Sequence, residues 1–128
     1  MNDTRLRLVR KPLKERIYGY IRRQGEDVLI IVNANPALPD WRKHLALMHE
    51  LLHLVEFIQK KPRVHIALHY AALLALIYER FGMADFESDF NLIFKLRSPF
   101  NNREIKWAIR LYRELRRKEV IHGIPKGI

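Results

Sequence analysis

The chain has 128 residues, of which 48% are hydrophobic and 30% charged, and it contains no cysteine. This length favours one domain, residues 1–128, and the composition excludes a disordered chain. The lack of cysteine excludes disulfides, cysteine-ligated zinc or iron–sulfur sites and thiol nucleophiles, and is typical of a cytoplasmic protein. Neither a signal peptide nor an apolar run long enough to cross a bilayer is recognisable, so we expect no membrane insertion.

Positive charge is the second feature of the composition. Lysine and arginine number 24 against 14 acidic residues, a formal net charge of +10. The excess lies near the two ends, with eight basic and two acidic residues in 1–23 and seven basic and two acidic residues in 103–118. Such a surface favours an anionic partner, nucleic acid in particular, or is simply solvated.

The first quarter of the chain has the pattern of β-strands. Residues 5–9 largely alternate between basic and apolar types, 17–21 are β-branched and aromatic, and 28–32 form a continuous apolar run. Gly25 lies in the short segment between the last two and is typical of a hairpin turn. The sequence therefore predicts a small N-terminal antiparallel sheet of about three strands.

The rest of the chain predicts about four helices, and the whole an α+β fold. Their approximate bounds are 40–59, 64–81, 85–96 and 103–120. Asp40 is the expected N-cap of the first helix, and Asn101 or Asn102 that of the fourth. The tail, 122–128, contains two glycines and a proline and is expected to be extended.

The first predicted helix carries the pattern H-E-x-x-H at residues 49–53. His49 and His53 are about one helical turn apart, so both imidazoles can bind one metal ion, and we expect one zinc per chain. Glu50 lies beside them and is the candidate general base for a water molecule that the zinc acidifies. The surrounding residues are apolar, and polar groups on a buried helix need partners because burial without them is costly. The alternative is a chance match on a helix surface.

Three segments around this motif share one resemblance. They are 28–35 (Val-Leu-Ile-Ile-Val-Asn-Ala-Asn), 39–42 (Pro-Asp-Trp-Arg) and 45–54 (Leu-Ala-Leu-Met-His-Glu-Leu-Leu-His-Leu). Together they resemble the metallopeptidase domain of the ImmA/IrrE family, which has a strand ending in asparagine, a short loop, an arginine and an H-E-x-x-H helix. The resemblance implies a zincin-like fold, with His49 and His53 as zinc ligands and Glu50 as the base. Leu52 stands where the family has a glycine.

The resemblance continues more weakly downstream. Residues 87–94 read Glu-Ser-Asp-Phe-Asn-Leu-Ile-Phe, and the family carries Glu-x-x-Ala-Asn-x-Phe-Ala, in which the glutamate is the third zinc ligand. Glu87 and Asn91 keep the family spacing, whereas Phe90 replaces its alanine. The resemblance therefore implies Glu87 as the third ligand.

Helix geometry leaves other residues open for this role. The break at 60–63 turns the chain back, which brings His69 of the second helix level with the two histidines of the first. The third helix would in turn bring Glu87 to within about one turn of His49. The remaining alternatives are Glu79, Asp85 and His65, or no third ligand at all. Without a metal, His65 and His69 would be hydrogen-bonded helix residues and Glu87 an exposed acid near a helix start.

Five basic residues recur at spacings of three and four along the fourth helix: Arg103, Lys106, Arg110, Arg113 and Arg117. We call these five the basic stripe. The stripe could follow the phosphates of a nucleic acid, or be the solvated face of an amphipathic helix. Tyr112 of the same helix is a further residue that could donate to a transition-state oxyanion.

These patterns predict a zinc metallopeptidase, a hydrolase that acts on a peptide or protein. An edge strand before the first helix, at 28–32, is expected to pair with the extended substrate. One alternative is a non-catalytic nucleic-acid-binding protein whose metal site is structural or vestigial. Another is a self-inhibited peptidase whose tail, 122–128, lies in the cleft.

Overall fold

A computed structural model describes residues 4–61 and 100–124 of the chain. The described elements are the strands β1 (Arg5–Lys11), β2 (Gly19–Gln24) and β3 (Asp27–Asn33), the helices α1 (Asp40–Ile58) and α2 (Asn102–Lys118), and the strand β4 (Val120–His122). The α+β class is confirmed, and α2 corresponds to the fourth predicted helix. The helices predicted at 64–81 and 85–96 lie outside the described residues.

The sheet differs from the predicted three-stranded antiparallel one. It has four strands in the order β2-β3-β1-β4. β1 and β3 pair in parallel, whereas β2 and β4 are antiparallel to their neighbours, so the sheet is mixed. The predicted arrangement of an N-terminal sheet followed only by helices is therefore wrong. The fourth strand was missed because residues 120–122 become an edge strand only by pairing with β1. Three residues are too few to show the alternating pattern that indicates a strand.

The parallel pair arises because residues 12–18 carry the chain past the end of β3. The hairpin of β2 and β3, with the turn at Gly25–Glu26 and a φ of 61° at Gly25, then inserts β3 between β2 and β1. This hairpin confirms the turn that Gly25 predicted. Interior parallel strands are usually continuous apolar runs, and β3 fits, since Leu29 and Ile31 on the face away from α1 are buried as well as Ile30 and Val32.

Asn33, at the end of β3, holds the crossing segment in place. Its side chain is fully buried and donates to the carbonyl oxygens of Lys14 (2.9 Å) and Ile17 (2.7 Å). Its Oδ1 accepts from the backbone N–H groups of Leu13 and Asn35, both at 2.9 Å. The side-chain amide of Asn33 thus makes four hydrogen bonds, all to backbone N–H and carbonyl groups that have no partner in a strand ladder or a helix.

α1 packs over the sheet and α2 packs against α1. His44, near the start of α1, contacts Tyr112 in the second half of α2, and Lys61, just after α1, binds Glu104 in the first turn of α2 at 2.5 Å. The two helices therefore run antiparallel. The shared core contains Leu51, Leu52 and Val55 of α1 together with apolar residues of β1, β3 and α2.

The helix ends follow local rules, with one exception. Asn101 caps α2 through a reciprocal pair of bonds with Glu104, as predicted. Asp40 is not the cap of α1: it is the first helical residue, and Pro39 holds the cap position without a side-chain bond. α1 ends in a reverse turn at Lys60, which has a φ of 53°. Neither described helix is long and apolar enough to cross a membrane.

Candidate metal centre

The H-E-x-x-H residues lie in the middle of α1, as predicted. His49 is half-buried, while Glu50 and His53 are buried at 5% and 7% exposure. The Nε2 atoms of His49 and His53 face each other at 2.9 Å. Two imidazole nitrogens bound to one tetrahedral zinc at 2.0–2.1 Å lie roughly 3.3 Å apart. Without a metal this contact is a hydrogen bond between the two rings, so a shared zinc ion requires the loss of the bonding proton and a separation of the two nitrogens by a few tenths of an ångström.

Glu56 completes the surroundings of His53. Its Oε1 lies 2.5 Å from Nδ1 of His53, and Glu56 is only 3% exposed. An ionised carboxylate only accepts hydrogen bonds, so Nδ1 of His53 is the donor and Nε2 presents its lone pair towards His49. Sequence reasoning missed Glu56, although its position three residues after His53 already placed the two side chains on one helix face.

The start of β2 contacts α1 on the side of the helix that also carries His49. An added Cβ on Gly19, the first residue of β2, would lie 3.3 Å from the Cβ of Ala46, and the guanidinium of Arg42 lies 5.2 Å from the ring centre of Tyr18. Ala46 and Arg42 precede His49 by three and seven residues and so lie on its side of α1. A side chain on Gly19 would also come to 2.5 Å of the Ile31 carbonyl oxygen, so glycine permits this close approach.

The expected substrate-binding edge at 28–32 is therefore wrong. These residues belong to β3, which is paired on both sides, by β1 and by β2. β2 is the sheet edge on the histidine side. A run of apolar residues indicated a strand, but its apolar character on both faces is a property of an interior strand.

The third ligand is not found among the described residues. Within 4–61 and 100–124, no three histidine or acidic side chains lie close enough to hold one metal ion together. Every candidate named from the sequence, Glu87, His69, Glu79, Asp85 and His65, lies in 62–99, outside the described residues. The identity of the third ligand stays a prediction.

Tyr112 is committed elsewhere. Its buried hydroxyl lies 2.5 Å from Nδ1 of His44. His44 and His53 are nine residues apart, about two and a half helical turns, so they leave opposite faces of α1. The expectation that Tyr112 could assist at the metal is therefore wrong.

A cleft of about 260 Å³ lies next to His44. It is lined by the apolar residues Leu8, Val32 and Leu47 and by the charged residues Arg10, Asp40, Lys43 and Arg116.

The basic stripe lies largely in solvent. Arg103, Lys106, Arg110 and Arg117 are exposed and Arg113 is half-buried, while Ala108, Leu111 and Leu115 point into the core. The predicted amphipathic division of this helix is confirmed. α2 contacts α1 near both ends, through Tyr112 and His44 and through Glu104 and Lys61, and Tyr112 meets the face of α1 opposite to His53.

The three arginines of the first strand form ion pairs. Arg5 binds both carboxylate oxygens of Asp27, at 2.7 and 3.2 Å, and Arg7 binds one of them at 3.3 Å. The Arg5 guanidinium holds the pKa of Asp27 below its ordinary value. Arg10 pairs with Glu119. These three arginines therefore form ion pairs between β1 and its neighbouring segments.

The start of the tail also lies away from the histidine pair. His122 belongs to β4, which pairs with Arg5 at the sheet edge opposite β2. Ile124 packs on the core, and 125–128 lie outside the described residues. The described part of the tail does not lie across α1 at His49.

The chain matches no protein-family model, no curated protein and no solved structure. The resemblance to the ImmA/IrrE family therefore stays a prediction that depends on the quoted residues.

Proposed function

We propose that the protein is a zinc-dependent metallopeptidase. The observation that carries this proposal is the convergence of two imidazole nitrogens, Nε2 of His49 and of His53, to 2.9 Å on one helix face. The buried carboxyl of Glu50 is the next residue along the helix from His49. Nitrogen ligands in this arrangement suit zinc, and a neighbouring carboxylate suits a general base.

His49 and His53 would hold the zinc together with a third residue from 62–99. Zinc supplies a Lewis acid that polarises a peptide carbonyl and makes a water molecule acidic. Glu50 accepts the proton of the attacking water and later gives it to the leaving amine. β2, the sheet edge on the histidine side, offers backbone groups to an extended peptide substrate.

The test measures bound zinc and peptide hydrolysis in four variants. The wild type should bind about one zinc ion per chain, and His49→Ala and His53→Ala should each lose this zinc and all peptidase activity. Glu50→Gln should keep the zinc and lose activity, because an amide cannot accept the proton. His122→Ala, which removes an exposed histidine of β4, is the matched control and should change neither. Equal zinc content in the wild type and both histidine variants would overturn the proposal.

A second candidate function is nucleic-acid binding, with the metal site as a structural feature. It is favoured by the basic stripe on α2, four of whose five residues are exposed. Its test is the salt dependence of nucleic-acid binding by the wild type and by a variant whose basic stripe is neutralised.

A further inference from the structure

We infer that Glu56 is a positioning residue for the zinc ligand His53; this inference rests on the proposed metallopeptidase function. Glu56 and His53 are among the most deeply buried polar side chains described, with 4% and 5% of their side-chain surface exposed. They lie three residues apart on α1, and their contact, Oε1 to Nδ1, is 2.5 Å. The metal motif of this chain is therefore the eight-residue pattern H-E-L-L-H-L-V-E, residues 49–56.

The first consequence of this contact concerns the tautomer of His53. A neutral imidazole carries one proton, on either Nδ1 or Nε2. In water the Nδ1–H form is not the favoured one, and the ring has no fixed orientation. The Glu56 carboxylate accepts from Nδ1, so the proton stays there and the lone pair of Nε2 points towards His49. Ligation requires this form, because a protonated Nε2 cannot bind a metal.

The second consequence is rigidity. The backbone of Glu56 is held by the turn that ends α1, where its carbonyl oxygen accepts from the N–H of Lys61 at 2.9 Å. The backbone of Glu56 is fixed by this bond, and the 2.5 Å contact of its carboxylate with Nδ1 restrains the ring orientation of His53. A carboxylate on the far ring nitrogen also makes the ligating nitrogen a stronger donor.

Glu56 is not itself a ligand in this arrangement. Its carboxylate lies on the Nδ1 side of the His53 ring, whereas the nitrogen that faces His49 is Nε2. The two ring nitrogens point in divergent directions. The role of Glu56 is therefore exerted through His53.

The experiment compares Glu56→Ala and Glu56→Gln with the wild type. The zinc dissociation constant should rise by about 10–100-fold in Glu56→Ala. Glu56→Gln should recover part of this loss, because its amide oxygen still accepts from Nδ1–H but carries no charge. Glu26→Ala, which removes an exposed glutamate of the hairpin turn, is the control and should bind zinc as the wild type does. Thermal unfolding of the metal-free variants verifies that folded proteins are compared.

A second measurement uses the metal-free protein. Nitrogen NMR shifts of His53, assigned with the help of His49→Ala, should report the Nδ1–H form in the wild type and in Glu56→Gln. In Glu56→Ala they should move towards the Nε2–H form. A purely structural ion pair would change stability without this ordered pattern across the three proteins.

The two proposals fail in different ways. If the wild type binds zinc and Glu56→Ala binds it equally well, the role of Glu56 is overturned and the metallopeptidase proposal stands. An unchanged His53 tautomer in a folded Glu56→Ala variant likewise overturns only the role of Glu56. If the wild type itself binds no zinc, the metallopeptidase proposal falls, and this inference falls with it.

Discussion

His44 and His49 lie five residues apart on α1, and their surroundings give them different chemistry. Nε2 of His49 faces Nε2 of His53, whereas Nδ1 of His44 bonds to the Tyr112 hydroxyl. Burial, assisted by the positive charge of Arg116, lowers the pKa of His44 from 6.5 to about 4, against the opposing effect of Asp40. His44 is therefore neutral at physiological pH, as a structural hydrogen-bonding group of the α1–α2 contact.

The first prediction concerns acid stability. Between pH 6.5 and about 4 the unfolded chain binds a proton at His44 that the folded protein does not, so the free energy of unfolding falls as the pH falls through this range. In His44→Gln the fall between about pH 7 and pH 5 should be smaller by about 1 kcal/mol, a value reduced for the partial exposure of the ring. Urea unfolding at the two pH values measures it.

The control for this prediction is His122→Gln, since His122 is exposed on β4. It should leave the pH dependence as in the wild type. An equal fall of the unfolding free energy in wild type and His44→Gln would contradict the depressed pKa of His44.

The second prediction concerns the third zinc ligand. Glu87→Gln should weaken zinc binding severely, because the resemblance and the expected return of the third helix both bring this carboxylate to the histidine pair. His69→Ala and Glu79→Gln should leave zinc binding nearly intact. Zinc titration of the purified variants measures this, and an anomalous-scattering map that shows a third imidazole on the zinc would decide in favour of His69.

At the scale of elements, the junction between β3 and the segment before β2 depends on one amide. Asn33 is fully buried and satisfies four backbone groups with a single side chain. The third prediction is that Asn33→Asp lowers the free energy of unfolding by about 3 kcal/mol, because a buried carboxylate would face the carbonyl oxygens of Lys14 and Ile17. Denaturant unfolding at neutral pH measures this loss.

The neighbouring Asn35 offers a matched control. Asn35→Asp keeps the bond that its Oδ1 accepts from the N–H of Ala37 and loses only the donation to the carbonyl oxygen of Leu13. Its cost should stay below about 1 kcal/mol. Equal losses in the two variants would show that the cost comes from the introduced carboxylate in general and not from the four buried bonds of Asn33.

At the scale of the whole molecule, the basic residues behind the net charge of +10 lie in different surroundings. Arg5, Arg7 and Arg10 are exposed but form ion pairs with Asp27 and Glu119, and four of the five residues of the basic stripe are exposed along one helix. Phosphate contacts by such a stripe make binding depend on salt and not on sequence. The regular spacing of the stripe along one helix makes it the candidate surface for nucleic-acid binding.

The fourth prediction tests this second candidate function. If the stripe follows phosphates, neutralising all five residues should remove salt-dependent binding, and each lost contact should reduce the log–log salt slope by about 0.7–0.9. Zinc content should not change, because arginine and lysine side chains of the stripe are not expected zinc ligands. Filter binding or fluorescence anisotropy with duplex and single-stranded oligonucleotides, over a range of salt concentrations, measures the slope.

The control removes the same charge elsewhere, by neutralising five exposed basic residues outside the stripe: Lys14, Arg16, Arg22, Arg23 and Lys60. An equal loss of binding in both variants would mean that total charge matters and the stripe does not. No salt-sensitive binding by the wild type would make the stripe a solvated helix face.

Local sequence was sufficient for features that depend on residues a few positions apart. The two described helices, the hairpin turn at Gly25, a cap at Asn101 or Asn102 and the placing of His49 and His53 on one helix face were all predicted. The interactions that produce them act within one turn or one hairpin, so the pattern of neighbouring residues contains them. Glu56 belongs to the same class, since its spacing from His53 was readable.

Only the tertiary structure decided which strands are neighbours and what each polar side chain contacts. Backbone hydrogen bonds between strands are alike for every residue type, so apolar alternation indicates a strand without identifying its partner. The position of β3 inside the sheet, with β2 as the edge beside the histidines, therefore came from the crossing of residues 12–18. The bond of Tyr112 to His44, 68 residues apart, likewise depends on the antiparallel packing of α1 and α2, which no local pattern encodes.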